Sequence, residues 1–308
     1  MSSTGTSPVA PLADSVPRHP VVVVHPETVD VPAFRGLVES AFERAGWPAP
    51  EFAETTCDEP GSGLAKQAIA DDADLVVVVG GDGTVRAVAV AMAGTGVPLA
   101  VVPTGTGNLL ARNLGIPVDQ SAALHVVVSG RDQQLDLGRT EETYFVTMAG
   151  LGLDAAMVRD ANPELKKRFG WPAYIVSGAK HLYDPQMRLR LRIDGGQWIA
   201  RHAQVLVIGN VGELQAGAAL LPAADPSDGK LDLVLMSPRS LFDWARVLVR
   251  LATRHAREDQ RLNRLQFRTL EVEARYPVPH EVDGDPAGDV TRLNVEVVPA
   301  ALTIRVPA

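Results

Sequence analysis

The chain has 308 residues, 46% of them hydrophobic and 21% charged, a balance that supports a large core and, at this length, two domains. A net charge of −8 argues against sequence-independent nucleic-acid binding, and no apolar run approaches the ~20 residues that cross a bilayer. The single cysteine, Cys57, excludes an internal disulfide and fits a reducing compartment, while the 7 histidines show no zinc-type spacing.

Residues 1–20 are rich in Ser, Pro and Ala and lack the basic and apolar regions of a signal peptide, so they are predicted to be a disordered leader. From Val21 the pattern alternates. VVVV (21–24) reads as a buried strand, and VPAFRGLVESAFERAG has apolar residues at helical spacing up to a glycine stop. FAETTC then reads as a strand and GSGLAKQAIADDA as a helix. LVVVVGG and PLAVVPTGTG are two more strands, each ending in glycines that lead into a helix. This rhythm predicts a parallel α/β domain over 21–138 with its ligand site at the carboxyl ends of the strands.

Beyond residue 138 the texture changes. RLRLRID (188–194) alternates as a half-exposed antiparallel strand does, and Asp-Gly pairs at 194–195, 228–229 and 283–284 signal hairpins. Residues 139–299 are therefore predicted to form a mainly antiparallel β domain. The fold class expected is α/β plus β.

Two glycine loops fall at the predicted ligand edge, GGDGT (80–84) and PTGTGN (103–108). A P-loop is excluded because no Gly-Lys-Ser/Thr occurs. A dinucleotide fingerprint can be traced through Gly150, Gly152 and Ala155, but it lacks the acidic residue due about 20 positions later. Successive glycines expose amides and let a phosphate approach closely, and Thr84, Thr104 and Thr106 add hydroxyls. A bare carboxylate beside phosphate is repelled, so Asp82 implies either Mg²⁺ carrying the phosphates or a turn cap. Both readings stay open. Asp283 likewise reads either as a general base or as the corner of a hairpin. DPSDG (225–229) reads as an oxygen-rich cation site, with Asp225, Asp228 and the Lys230 carbonyl, or as a solvated turn.

Between Val21 and Pro307 the chain resembles the diacylglycerol kinase catalytic-domain family of lipid kinases, which includes bacterial and sphingosine members. The motifs are GGDGTVRAVA, PTGTGNLLARNLGIP, LDLG, AGLGLDA, LPAADPSDGKLDL and VDGD, in the family's order. The resemblance implies a phosphofructokinase/NAD kinase-like first domain, to which 300–308 return, and a lipid-substrate domain. It implies ATP and Mg²⁺ as cofactors and a lipid hydroxyl, of diacylglycerol or a relative, as acceptor. By this resemblance Gly80, Gly81, Asp82, Gly83, Thr84, Thr104, Gly105, Thr106, Thr55, Thr56 and His25 bind nucleotide, with His25 in place of the family's Asn. Asp154 and Asn108 fall at substrate positions, and Leu109 follows Asn108 where the family commonly has Asp. Asp82, Asp136 and Asp285 form the Mg²⁺ network, Asp285 replacing a glutamate. Asp283 matches the catalytic aspartate, and Asp225, Asp228 and Lys230 match a structural Mg²⁺ site.

The implied setting is cytoplasmic, at the inner membrane face, with a second copy of the chain admitted as a partner and nucleic acid excluded. Lys166, Lys167 and Arg168 beside Phe169 and Trp171, and Arg246, Arg250 and Arg254 on one helical face, read as a membrane-facing surface or as ordinary surface packing. Three other functions stay open: an NAD kinase-like enzyme, a sugar kinase suggested by the GGDG corner, and a nucleotide- or lipid-binding module without catalysis.

Overall fold

The computed structural model describes residues 16–160, 185–214, 219–237, 243 and 262–308. The basic segments around Lys166 and Arg250 lie outside the described residues, as does most of the leader. The chain divides into two compact units, Met1–Leu135 with Ala300–Ala308, and Asp136–Pro299.

The first unit is built on β1 (Pro20–Val24), β2 (Glu51–Glu54), β3 (Leu75–Gly80) and β4 (Leu99–Pro103), all parallel in the order β2–β1–β3–β4. The end of the chain runs parallel beside β4, Ile304 lying opposite Leu99. Every residue of β1, β3 and β4 is buried, which is why the sequence shows unbroken valine runs rather than alternation. Val22, Val24, Val77, Val79, Ala100 and Val102 form one core with α1 (Val31–Ala45) and α5 (Gln120–Ser129). Helix α1 starts where the Asp30 carboxylate accepts from the Ala33 amide and stops at Gly46, whose φ of 72° is left-handed. Its apolar stripe buries Phe34, Val38 and Phe42, each contributing about 1.5–3 kcal/mol. Helix α2 (Ser62–Ala70), α3 (Asp82–Met92) and the short α4 (Leu109–Asn113) complete this unit.

The second unit holds the end of β5 (Arg131–Arg139) from Asp136 on, β6 (Tyr144–Phe145), then β7 (Met148–Gly152), α6 (Leu153–Asp160), β8 (Met187–Ile193), β9 (Ile199–Ala203), β10 (Val205–Gly209), β11 (Leu231–Met236), β12 (Leu262–Phe267), β13 (Thr269–Val282) and β14 (Asp285–Val306), whose residues up to Pro299 belong here. The strand pairings are antiparallel in the order β12–β11–β10–β7–β13–β14, with β8 also on β13 and β9 on β8. Strand β8 alternates buried Met187, Leu189 and Leu191 with exposed Arg188 and Arg190, as its sequence requires.

Two of the three Asp-Gly pairs are hairpin corners. Asp194 and Gly195 make the turn that opens the 194–198 connection from β8 to β9, and Asp283 and Gly284 join β13 to β14 directly, with both residues at positive φ in each pair. That is the geometry a two-residue primed turn needs. The pair at 228–229 is different. It lies in the long connection from β10 to β11, and its role emerges from its partners below. Among the described residues no helix is long and apolar enough to cross a membrane.

Candidate active site

In the first unit the carboxyl ends of β1, β3 and β4 all open into loops that hydrogen-bond to one another. The His25 amide donates to the Val79 carbonyl at 2.9 Å, and the Thr104 amide to the Gly80 carbonyl at 2.9 Å. The Thr104 hydroxyl donates to that of Thr28 at 2.8 Å, and Thr28 in turn closes on the His25 carbonyl. The His25 Nδ1 is buried without a hydrogen-bond partner among the described residues.

The two glycine loops meet backbone to backbone. A Cβ on Gly105 would lie 2.6 Å from the Gly81 Cα, a contact no side-chain adjustment relieves. Gly105→Ala is therefore expected to lower stability by about 1–3 kcal/mol in urea unfolding. Gly83→Ala, with nothing within 4 Å, should leave it equal or slightly higher, and equal losses in both would contradict the crossing.

Asp82 is a cap, though not of its own turn. Its Oδ2 accepts from the Asn108 amide at 2.8 Å and its Oδ1 from the Leu109 amide at 2.5 Å, so it closes the N-terminus of α4. Asn108 stands there at φ 52° and binds Gly105 in both directions, accepting from its amide and donating to its carbonyl. The other helix starts of this unit are also filled. Asp30 caps α1, Asp119 caps α5, and Glu59 Oε1 accepts from the Gly61 and Gly63 amides before α2. Helix α3 is the exception. Its N-cap is Gly81, and among the described residues no side chain accepts from its first-turn amides. Thr84 is 6% exposed and packed on Gly80, whereas Thr106 is exposed. Thr55 is buried, and the Thr56 hydroxyl accepts from the Glu59 amide at 3.1 Å.

In the second unit Asp136 and Asp283 are held by backbone. Asp136, 3% exposed, accepts on Oδ2 from the Gly229 amide at 2.6 Å, while its own amide donates to the Pro226 carbonyl at 2.7 Å. The DPSDG loop is thus hooked onto the LDLG strand, which explains why its Asp-Gly pair makes no hairpin. Asp225 Oδ1 accepts from the Ser227 amide and hydroxyl, and Asp228 Oδ1 from the Lys230 amide. The loop is closed by its own hydrogen bonds.

Asp283, at φ 50°, accepts four hydrogen bonds from one short segment. Oδ1 takes the Thr147 hydroxyl at 2.6 Å, the Thr147 amide at 2.8 Å and the Met148 amide at 3.0 Å, while Oδ2 takes the Val146 amide at 2.8 Å. Burial pushes this carboxyl above its ordinary value, and the Thr147, Val146 and Met148 donors oppose that by favouring the charged form. Oδ2, with a single donor, keeps an acceptor position for a proton. Nearby, Glu281 accepts from the Gly284 amide at 2.7 Å. Burial lowers the His280 pKa, and its Nε2 has no hydrogen-bond partner among the described residues. Asp285 is exposed at the start of β14, and Asp154 lies in α6, its side chain outside the described residues.

Sequence reasoning missed Asn210. It is 1% exposed, just after β10, and its Nδ2 donates to the carbonyls of Asp136 at 2.7 Å and Val146 at 2.9 Å. A polar residue ending the apolar run VLVIG was the available signal, but it reads as an ordinary turn residue.

Residues 21–140 match the family model described as the diacylglycerol kinase catalytic domain, and residues 147–306 match that described as the YegS C-terminal NAD kinase beta sandwich-like domain. A diacylglycerol kinase of Mycobacterium tuberculosis (strain ATCC 25618 / H37Rv) is 31% identical over 255 residues, covering 79% of this chain and 80% of that protein. Among solved structures, a diacylglycerol kinase from Bacillus anthracis str. Sterne aligns with a TM-score of 0.77 at 20% identity, over 94% of this chain and 97% of that one. An NAD kinase from Archaeoglobus fulgidus in complex with ATP aligns with a TM-score of 0.52 at 14% identity, over 93% of each chain. At those identities the structural likeness shows the fold alone.

Proposed function

The chain belongs to the diacylglycerol kinase catalytic-domain family, and from that membership we propose that it transfers the γ-phosphate of ATP, with Mg²⁺, to the hydroxyl of diacylglycerol or a related lipid. One observation carries the nucleotide half of this reading. The first turn of α3, at GGDG, has a glycine at its N-cap and no side-chain acceptor among the described residues, and it opens at the carboxyl edge of the parallel strands. A helix N-terminus with glycines before it offers amides and a favourable dipole to a phosphate. Gly81 and Gly105 let the two loops cross closely beside it, and the exposed Thr106 can supply a hydroxyl.

The residues suit Mg²⁺ that arrives on a triphosphate. Among the described residues no three His, Cys, Asp or Glu side chains gather into a cage. A nucleotide-borne Mg²⁺ needs only one or two carboxylates besides phosphate and water oxygens. Asp82 would provide one in the first unit, Asp136 and Asp285 are the second unit's candidates by family membership, and the bound ion would offset the charge of the phosphates. Each Asp82 oxygen takes one amide and retains a further acceptor position.

Asp283 acts as the base. The lipid hydroxyl gives its proton to Oδ2 as its oxygen bonds to the γ-phosphorus, and the bond from that phosphorus to the β-bridging oxygen breaks, releasing ADP. Little else is asked of the protein, because phosphoryl transfer depends on positioning and charge neutralisation. Asp154 and Asn108 remain the substrate-side candidates.

Labelled γ-phosphate from Mg²⁺–ATP should appear on diacylglycerol or a related lipid in mixed micelles. NAD belongs in the same assay, since the fold is shared with NAD kinase. Label on NAD instead would transfer the assignment to a dinucleotide kinase. Label on no acceptor, with ATP bound, would leave a binding module.

A further inference from the structure

Two of the carboxylates proposed for chemistry in the second unit lie on separate stretches of chain, Asp136 on β5 and Asp283 at the β13–β14 corner. Each is gripped by backbone. Asp283 is fixed by the amides of Val146, Thr147 and Met148, and Asp136 by the Gly229 amide. Something must in turn fix the grips relative to each other.

Asn210 touches both. One Nδ2 hydrogen reaches the Asp136 carbonyl at 2.7 Å and the other the Val146 carbonyl at 2.9 Å. Its own amide donates to the Thr147 carbonyl at 2.8 Å. Three of its bonds therefore end on the segment that holds Asp283 or on Asp136 itself. Two donors aimed at two carbonyls require a primary amide, since a carboxylate would repel both carbonyls and a hydroxyl has one hydrogen to give. The amide oxygen, Oδ1, is buried without a hydrogen-bond partner among the described residues. Unpaired buried polar atoms are rare, and here the pairing of Nδ2 takes precedence over that of Oδ1.

We propose that Asn210 is a positioning residue that sets Asp136 and Asp283 in one arrangement, by tying the β5 backbone at Asp136 to the 146–148 segment. The proposal rests on the lipid kinase reading for its consequence in turnover, but not for its structural content. Asn210 lies in neither nucleotide loop, so its loss reaches the nucleotide only through Asp136 and should weigh on turnover far more than on ATP binding.

The test uses the full chain with Asn210→Ala and Asn210→Ser. Amide hydrogen exchange is expected to quicken by at least tenfold at Val146, Thr147, Met148 and Gly229, with the remaining strands of the unit unchanged. In the transfer assay kcat should fall about 100-fold for a displacement near 1 Å, with KM for ATP within about twofold. Asn210→Ser, which keeps one donor, should recover part of kcat. Wild-type exchange at the 146–148 amides, or a uniform rise across the whole unit with kcat and KM altered together, would overturn the proposal. So would failure of both variants to fold, since the role would then be one of folding. If the wild-type protein labels no lipid, the kinase reading fails and the exchange pattern alone decides the role of Asn210.

Discussion

Asp283→Asn is expected to lower phosphoryl transfer by about 10²–10⁴-fold, the usual worth of a positioned general base. The substitution keeps the shape and removes the charge. Oδ1 can still accept from Thr147 and Met148, but an NH₂ group now faces the Val146 amide, donor against donor. That mismatch should also cost about 1–3 kcal/mol of stability, so unfolding must be measured beside turnover. Thr147→Val separates the two effects. It removes the 2.6 Å hydroxyl bond and leaves three amides and the carboxylate in place. The pH dependence then has a definite sign. The base works ionised, so activity is lost as pH falls through the Asp283 pKa, and burial sets that acid limb above the ordinary carboxyl range. The Thr147 hydroxyl favours the charged form, so Thr147→Val should move the limb further up. Turnover unchanged in Asp283→Asn would remove this residue from the chemistry, leaving it the hairpin corner that its φ of 50° also makes it.

Much of this architecture can be read directly from residues. Apolar, valine-rich runs leading into helical patterns, two of them through glycines, specify parallel strands buried on both faces, because that environment excludes polar alternation. The RLRLR alternation and the Asp-Gly corners at 194 and 283 follow from the two-residue period of a strand and from the positive φ of a primed turn. The partners of the carboxylates are a different matter. Asp82 looks like a local turn residue, yet it accepts from amides 26 and 27 positions on. Asp283 is satisfied from 135 to 137 positions earlier. Hydrogen bonds of that span depend on tertiary register, which no local pattern encodes. The same holds for the Asp-Gly pair at 228–229, whose flanking runs suggest a hairpin but whose Gly229 amide is taken by Asp136. Asn210 is the extreme case, since its importance lies wholly in which two carbonyls converge on it.

Arg305 shows what that register is worth. It sits in the final strand of the first unit at 5% side-chain exposure, with Nη1 3.5 Å from Oδ1 of Asp132, which is 2% exposed. Nη2 donates to the Gly130 carbonyl at 3.1 Å, and the guanidinium lies 5.5 Å from the centre of the Trp47 ring. Burial lowers the Arg305 pKa and the charge of Asp132 raises it, so the pair is sustained by mutual attraction against desolvation. Arg305→Met leaves the Asp132 charge buried beside an apolar chain, and should cost about 3–5 kcal/mol in urea unfolding. Asp132→Leu should cost a similar amount for the mirror reason. The double variant is the discriminating measurement. The wild-type pair is separated by 3.5 Å, longer than a good charge-assisted hydrogen bond, and Arg305 Nε is buried without a hydrogen-bond partner among the described residues. Replacing both charges by apolar groups should therefore restore most of the loss, with the double variant more stable than either single one. Additive losses would mean that the two residues act independently, and that Gly130 and Trp47 rather than Asp132 hold the final strand beside β4.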